Sequence, residues 1–247
     1  MQLHLSTWQE VEAYLERATA IIVPIGSTEQ HGPNGLIGTD AICPEVVARG
    51  VGDEEDALVG PTISVGMAQH HLAFPGSITL RPSTLIACVS DYVDSLMRHG
   101  FEGVYFLNGH GGNIATLNAA FSEIYASASL GHSSRRVRLS LTNWWDGPEV
   151  RRVSRELYSG IEGSHATPSE VSLSYYAYPD AVKSATFEPR VAPSGRFRDA
   201  EDYRRRFPDG RIGSDPSGAS PQAGERLFHA AVRDVRNDYR AFAAGGR

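Results

Sequence analysis

GVYFLNGHGGN, residues 103–113, is the stretch on which the fold turns. Residues 103–109 form a short apolar run rich in β-formers, as a strand buried on both faces does. From about Ile114 to Leu130 the pattern becomes helical, and between the two stands a turn of glycines, asparagines and one histidine. Strand, turn and helix in that order make half of a crossover unit, and parallel strands need such crossovers. Similar runs occur at AIIVPIGS (20–27), ALVGPTISVG (57–66) and RVRLSLTNWW (136–145), which read as further strands. The clearest helix is STLIACVSDYVDSLMRHG (83–100). Ser83 is its candidate cap, Leu85, Val89, Tyr92 and Leu96 its apolar stripe, and Gly100 its stop. The expectation is one α/β domain over residues 1–247, a mostly parallel sheet flanked by helices on both faces, in three layers.

The two ends of the chain fit this outline. MQLHLSTWQEVEAYLERA reads as a helix capped by Ser6 or Thr7, with Trp8, Val11 and Leu15 on one face. Residues 190–222, rich in Arg, Asp, Gly, Pro and Ser, are expected to be irregular, and AGERLFHAAVRDVRNDYRAFAA (223–244) to close as an amphipathic helix. The basic run Arg204 to Arg206 reads as a solvated face, with an anion site as the alternative.

Composition removes several function classes. With 41% hydrophobic residues and a net charge of −6, the chain is an ordinary globular sequence without the basic surface a nucleic-acid partner favours. No apolar run approaches the roughly 18 residues of a membrane span, and no basic-then-apolar leader opens the chain. The two cysteines, Cys43 and Cys88, sit in apolar patterns, which fits reduced core residues and a cytoplasmic location.

The polar residues gather where ligands bind in such sheets, beyond the carboxyl ends of the strands. GSTEQHG follows the first strand, NGHGGN the third and NWWDG the fourth. A dinucleotide-binding turn needs a glycine where Ile114 stands, a nucleophile elbow is absent, and no cysteine has a reactive setting. A metal site fits better. Glu29, His31, Asp40 and His110 offer carboxylate oxygens and imidazole nitrogens, a mixture suited to Zn²⁺, Mn²⁺ or Fe²⁺. GIEGSHATPSEVSLSYY adds His165 and Glu170, with Pro168 placed for a first helical turn. Each piece has a plainer reading: Glu29 and His31 as solvated turn residues, NGHGG as a turn, Glu170 as a favourable charge at a helix start. Their common position at strand ends favours the metal site.

Four ordered motifs, PIGSTEQHGPNGLIGTD, HHLAFPGSITL, NGHGGN and GSHATPSEVS, resemble the creatininase (creatinine amidohydrolase) family. The resemblance implies an α/β sandwich, a binuclear centre of two divalent ions per chain, and a homo-oligomer, a hexamer in the family. It makes Glu29 and His110 ligands of one metal, His31 a ligand of the other, Asp40 the bridging carboxylate and His165 the catalytic histidine. The chain departs from creatininase at Gly111 and Gly112, where creatininase has Tyr-Glu and that Glu binds the second metal, and at Asn34, where a histidine is usual. Glu170 is the candidate replacement ligand. The departures align the chain with Gly-Gly members of the family, among them formamide deformylases and proteins of peptide-derived cofactor maturation.

The expected function is hydrolysis of a C–N bond in a small cyclic or related amide by metal-activated water. His165 would shuttle the proton to the leaving nitrogen, and the Gly111 and Gly112 amides would bind the developing negative charge. Ser77, Trp144 and Trp145 are candidate substrate contacts, the tryptophans alternatively core. A formamide deformylase acting on a nucleotide-like intermediate, and a metal-holding protein without catalysis, are the alternatives.

Overall fold

A computed structural model describes residues 1–131 and 136–245, so the expected span of 1–247 includes six residues, 132–135 and 246–247, outside the described residues. Strands β1 (Ala20–Ile25), β2 (Leu58–Val59), β3 (Gly103–Asn108) and β4 (Arg138–Asn143) form one parallel sheet in the order β2-β1-β3-β4. Every residue of β1 and β3 is buried, as strands covered on both faces must be. Side chains alternate between two cores. Ile22, Tyr105 and Leu107 face helices α2 (Thr39–Glu55), α5 (Pro148–Tyr158), α6 (Pro168–Ala177) and α8 (Pro221–Ala243). Ile21, Val23, Ile25, Val104 and Phe106 face α1 (Trp8–Leu15), α3 (Pro82–Arg98) and α4 (Asn113–Ser129). The expected α/β sandwich is the one observed.

The register places the site. Ile25 pairs with Asn108 and Asn108 with Asn143, so the three strands end level and their following loops leave one rim together.

α2 supplies the third side of that rim. It carries Pro44 inside and glycines at 50 and 52, and no side chain caps its start, so its helical character is weak in the sequence. Pro44 has no N–H to give the Asp40 carbonyl, and that oxygen instead sits against Gly26 and Gly109, directly after β1 and β3. A Cβ at either glycine would collide with it. The two glycines therefore let the first turn of α2 wedge between two strand ends.

Several expectations need correction. Within 57–66 only Leu58–Val59 is strand. Gly60 and Ile63 still donate to the carbonyls of Ile22 and Pro24, but Pro61 between them has no amide to continue the ladder. α1 has the Thr7–Glu10 capping box, yet Trp8 is 70% exposed. The buried residue is Tyr14, whose hydroxyl donates to the Ala20 carbonyl and accepts from Leu58 N–H, and this clamp turns Trp8 outward. α3 starts at Pro82, with Arg81 as its cap instead of Ser83. Residues 190–222 are not irregular throughout: α7 (Ala200–Arg206) folds there, and Tyr203, Phe207 and Ile212 pack on Phe74 in a small third core beside the rim. In the Arg204–Arg206 run, Arg205 and Arg206 pair with Asp202 and Arg204 lies over the Phe74 ring, as a helix face would.

Candidate metal centre

The loop after β1 carries Glu29 and His31 inward. Gly35 N–H donates to the His31 carbonyl and Gly32 adopts φ +66°, closing a tight turn that buries both side chains. Asp40 arrives on the first turn of α2. His110 sits in the NGHGGN turn, which two asparagines hold. The Asn108 amide donates to the His110 carbonyl at 2.7 Å and its oxygen accepts His110 N–H at 3.2 Å, while Asn113 donates to Gly26 O and accepts from Met67 N–H. His165 is fixed by a bridge to Ile212, and Glu170 by the first turn of α6.

These six residues converge. Glu29, Asp40 and His110 place one ligand atom each within 4.8 Å of one another, and so do His31, Asp40 and Glu170. Asp40 is common to both triads. A third grouping of the same kind joins Glu29, His31 and His165. His31 Nε2 is 2.9 Å from Asp40 Oδ1 and 3.8 Å from Glu170 Oε1; His110 Nδ1 is 2.8 Å from Asp40 Oδ2 and its Nε2 is 3.4 Å from Glu29 Oε2.

Two details show that the cluster fits divalent cations. Asp40 Oδ2 and Glu29 Oε1 are buried and make no aligned hydrogen bond, although ring nitrogens stand at 2.8 Å and 3.1 Å. Buried carboxylate oxygens left without an aligned donor suit a cation. Two buried carboxylates, Glu29 and Asp40, with the partly buried Glu170 beside them, also demand positive charge. Imidazolium supplies it when no metal is bound. Burial alone would lower the His31 pKa, but Asp40, Glu170 and Glu29 raise it to about 10; burial likewise opposes, and Glu29 and Asp40 outweigh it, to raise His110 to about 9. Burial would raise Asp40, but His31 and His110 hold it far below the usual carboxylate range. Burial, with the charge of Asp40, pushes Glu170 up.

Glu170 caps a helix and faces the cluster at once. Its Oε1 accepts Thr167 N–H at 2.6 Å to complete a capping box, while the same carboxylate faces His31 and Asp40. At residue 112 a side chain would collide with His110 Nε2 and the Met67 carbonyl, so the Gly-Gly turn leaves the second triad to be completed from α6.

The centre floors a cavity of about 670 Å³ whose walls include Gly111, Gly112, Trp144, Trp145, His70, Tyr203 and the inner face of α5. Trp144 is both wall and core, 2% exposed and packed into the α8 side of the sheet. Ser77 is not among the lining residues; its hydroxyl accepts Gln30 N–H at 3.2 Å and supports the Glu29–His31 loop from behind.

Sequence reading missed His71 and Gln30. His71 is buried, with Nε2 3.1 Å from Glu29 Oε1, and burial with His31 and His110 nearby lowers its pKa to about 3. Gln30 Nε2 lies 2.9 Å from His71 Nδ1 and 3.0 Å from the Gly210 carbonyl. The histidine pair in HHLAFPGSITL was the available signal.

A parallel sheet with clustered carboxylates and imidazoles beyond its strand ends is an arrangement that suits a metal-dependent hydrolase. The family model for creatininase, creatinine amidohydrolase, matches residues 4–237, and the chain belongs to the creatininase family. It is 26% identical to the creatinine amidohydrolase of Pseudomonas putida, over 95% of this chain and 94% of that one. With the mycofactocin precursor peptide peptidase of Mycolicibacterium smegmatis it shares 36% identity over 86% of this chain and 81% of the relative. A solved creatininase in manganese form and a mutant creatininase of zinc–zinc type superpose with TM-scores of 0.84 and 0.82, each at 25% identity over 98% of both chains. The protein is thus a hydrolase acting on carbon–nitrogen bonds, with residues suited to divalent metal. No helix among the described residues is long and apolar enough to cross a membrane.

Proposed function

We propose that the protein is a metal-dependent amidohydrolase that cleaves the C–N bond of a small amide seated over the Asp40-centred cluster, with two divalent ions per chain. The observation that carries this is the pair of triads sharing Asp40, with unpartnered buried carboxylate oxygens, at the floor of the cavity. Glu29 and His110 would hold one ion, His31 and Glu170 the other, and Asp40 both. Divalent ions there supply Lewis acidity to the amide carbonyl and bring the pKa of water from 15.7 toward about 7.

The protein's own groups do the rest. His165 Nε2 is held by Gln30 in either tautomer, 2.8 Å from its backbone carbonyl, which accepts, and 2.9 Å from its side-chain amide nitrogen, which donates. Nδ1 faces the cluster, 3.8 Å from Glu29 Oε1. Burial, with His71 and His31 close by, holds the pKa of His165 well below the usual value, so it rests neutral. With its proton on Nε2, it would take the proton of the attacking water at Nδ1 and deliver it to the leaving nitrogen. The amides of Gly111 and Gly112, at the start of α4, are placed to stabilise negative charge on the former carbonyl oxygen. Trp144 and Trp145 shape the wall and exclude water.

A second reading concerns the size of the substrate. A cavity of about 670 Å³ holds far more than one five-membered ring, and the 36% identical relative is named a precursor peptide peptidase. On that basis the end of a short peptide suits the cavity as well as a cyclic amide does. The deciding experiment is a hydrolysis screen of cyclic amides, lactams, formamides and short peptides with Mn²⁺- or Zn²⁺-loaded protein. Turnover that chelator abolishes and metal restores is expected; turnover that survives complete metal removal overturns the proposal.

A further inference from the structure

We infer that the cavity face of α5 is an anion subsite centred on Arg155, so that the substrate is an amide carrying a carboxylate or phosphate group. The inference rests on the reading that this cavity holds the scissile amide. α5 presents Val150, Arg151, Ser154 and Arg155 to the cavity, two pairs spaced by four residues and therefore on one side of the helix.

The arginines of α5 are not equivalent. Arg151 is paired with Asp146 at 2.6 Å. Arg152 lies outside the cavity lining and is paired with Glu149 at 3.0 Å and Glu156 at 2.5 Å. Arg155 has no carboxylate partner among the described residues; its Nε donates to the Arg151 carbonyl at 3.2 Å, which leaves the terminal nitrogens of the guanidinium for a ligand. Of the other charged cavity groups outside the metal cluster, Asp146 and Arg151 offset each other, whereas Glu162 has no cation partner among the described residues and one of its oxygens is buried without a hydrogen bond. Asp146 takes Arg151 and the Asn143 amide, and Glu162 accepts from the Ser169 hydroxyl. Arg155 is therefore a cavity cation whose terminal nitrogens have no partner among the described residues, on a wall where burial pushes the one other unpaired ionisable group, Glu162, toward its neutral form.

Its position relative to the reacting centre follows from its neighbour. Ser154 Oγ is 3.2 Å from Ser169 Oγ, and Ser169 directly precedes Glu170 of the second triad. An amide over the cluster would thus have the Arg155 wall beside its far end. A guanidinium offers planar paired donors that match a carboxylate or a phosphate. Creatinine carries no anionic group and would leave this charge unused.

The test reads binding, so it is separable from any failure to hydrolyse. Dissociation constants for the Zn²⁺-loaded full chain are measured by calorimetry for N-acetylglycylglycine, its C-terminal carboxamide, and the phosphate monoester of N-acetylethanolamine. The peptide acid, the phosphate ester, or both should bind at least about tenfold more tightly than the carboxamide. Whichever anion is preferred identifies its source. In Arg155→Gln that preference should fall below about twofold with metal content unchanged, and Arg152→Gln should keep it. Equal affinity of all three probes for the unmodified protein overturns the inference. So does a preference that survives Arg155→Gln, which would place the anion on the metal, or one that Arg152→Gln removes equally, which would reduce it to general surface charge.

Discussion

Loading the metal-free protein with two divalent ions should expel about two protons per chain at pH 7. His31 and His110, raised to about 10 and about 9 by the carboxylates around them, both carry imidazolium protons at that pH. A metal ligand must be the neutral imidazole, so each ion has to displace a proton. The sign follows directly. A raised pKa means the metal-free form holds the proton, binding releases it, and affinity rises with pH until the pKa is passed. At pH 7 the proton lies about three decades in favour of His31 and about two in favour of His110, which lowers the apparent affinities by those factors. Each site should gain about tenfold in affinity per pH unit between pH 7 and pH 9. Glu170, pushed up by burial, adds a fraction of a proton in the same direction. The assay is titration calorimetry with Zn²⁺ or Mn²⁺ in buffers of different ionisation enthalpy, from which released protons are counted. Release of less than about half a proton per chain, with both ions bound, would show that these imidazoles are not the ligands.

Three substitutions separate the roles within the cluster. Asp40→Asn should lower metal content more than His31→Ala does, since Asp40 belongs to both triads; elemental analysis showing both ions retained in Asp40→Asn would remove the bridging role. Glu170→Gln keeps a residue able to complete the capping box with Thr167, so thermal stability should hold while the second metal equivalent is lost; retention of both equivalents would leave Glu170 a helix cap alone. His165→Ala should keep both ions and lose about 10²–10⁴-fold in turnover number, less for substrates with an acidic leaving nitrogen. Loss of an ion in that variant would make His165 a ligand, as its grouping with Glu29 and His31 permits.

How far the sequence carried this reading varied with the physics of each element. β1 and β3 were legible because strands buried on both faces read as unbroken apolar runs, and α3 because it is amphipathic. α2 was not: its polar face is only the narrow row of Glu45, Arg49 and Asp53, and its proline and glycines read as breakers. Its position depends on what Gly26 and Gly109 lack, which no periodicity displays. In the candidate site, Glu29, His31, Asp40 and His110 stood out as charged residues following strands against an apolar background, whereas His165, between α5 and α6, and Glu170, in the first turn of α6, were marked by the motif GSHATPSEVS that resembles the creatininase family. His71 escaped notice because a pair of histidines in a loop is unremarkable until the fold carries one to Glu29. Ser77 was expected in the cavity, but its hydroxyl is taken by Gln30 N–H, a pairing 47 residues apart that only the tertiary structure shows.

The most direct test of the central claim is anomalous diffraction at the manganese edge from crystals of the protein grown with Mn²⁺. Two peaks are predicted in each chain, on either side of Asp40, one against Glu29 and His110 and the other against His31 and Glu170. No peak at the cluster, or a single one that leaves His31 and Glu170 paired only with each other, would contradict the two-ion centre.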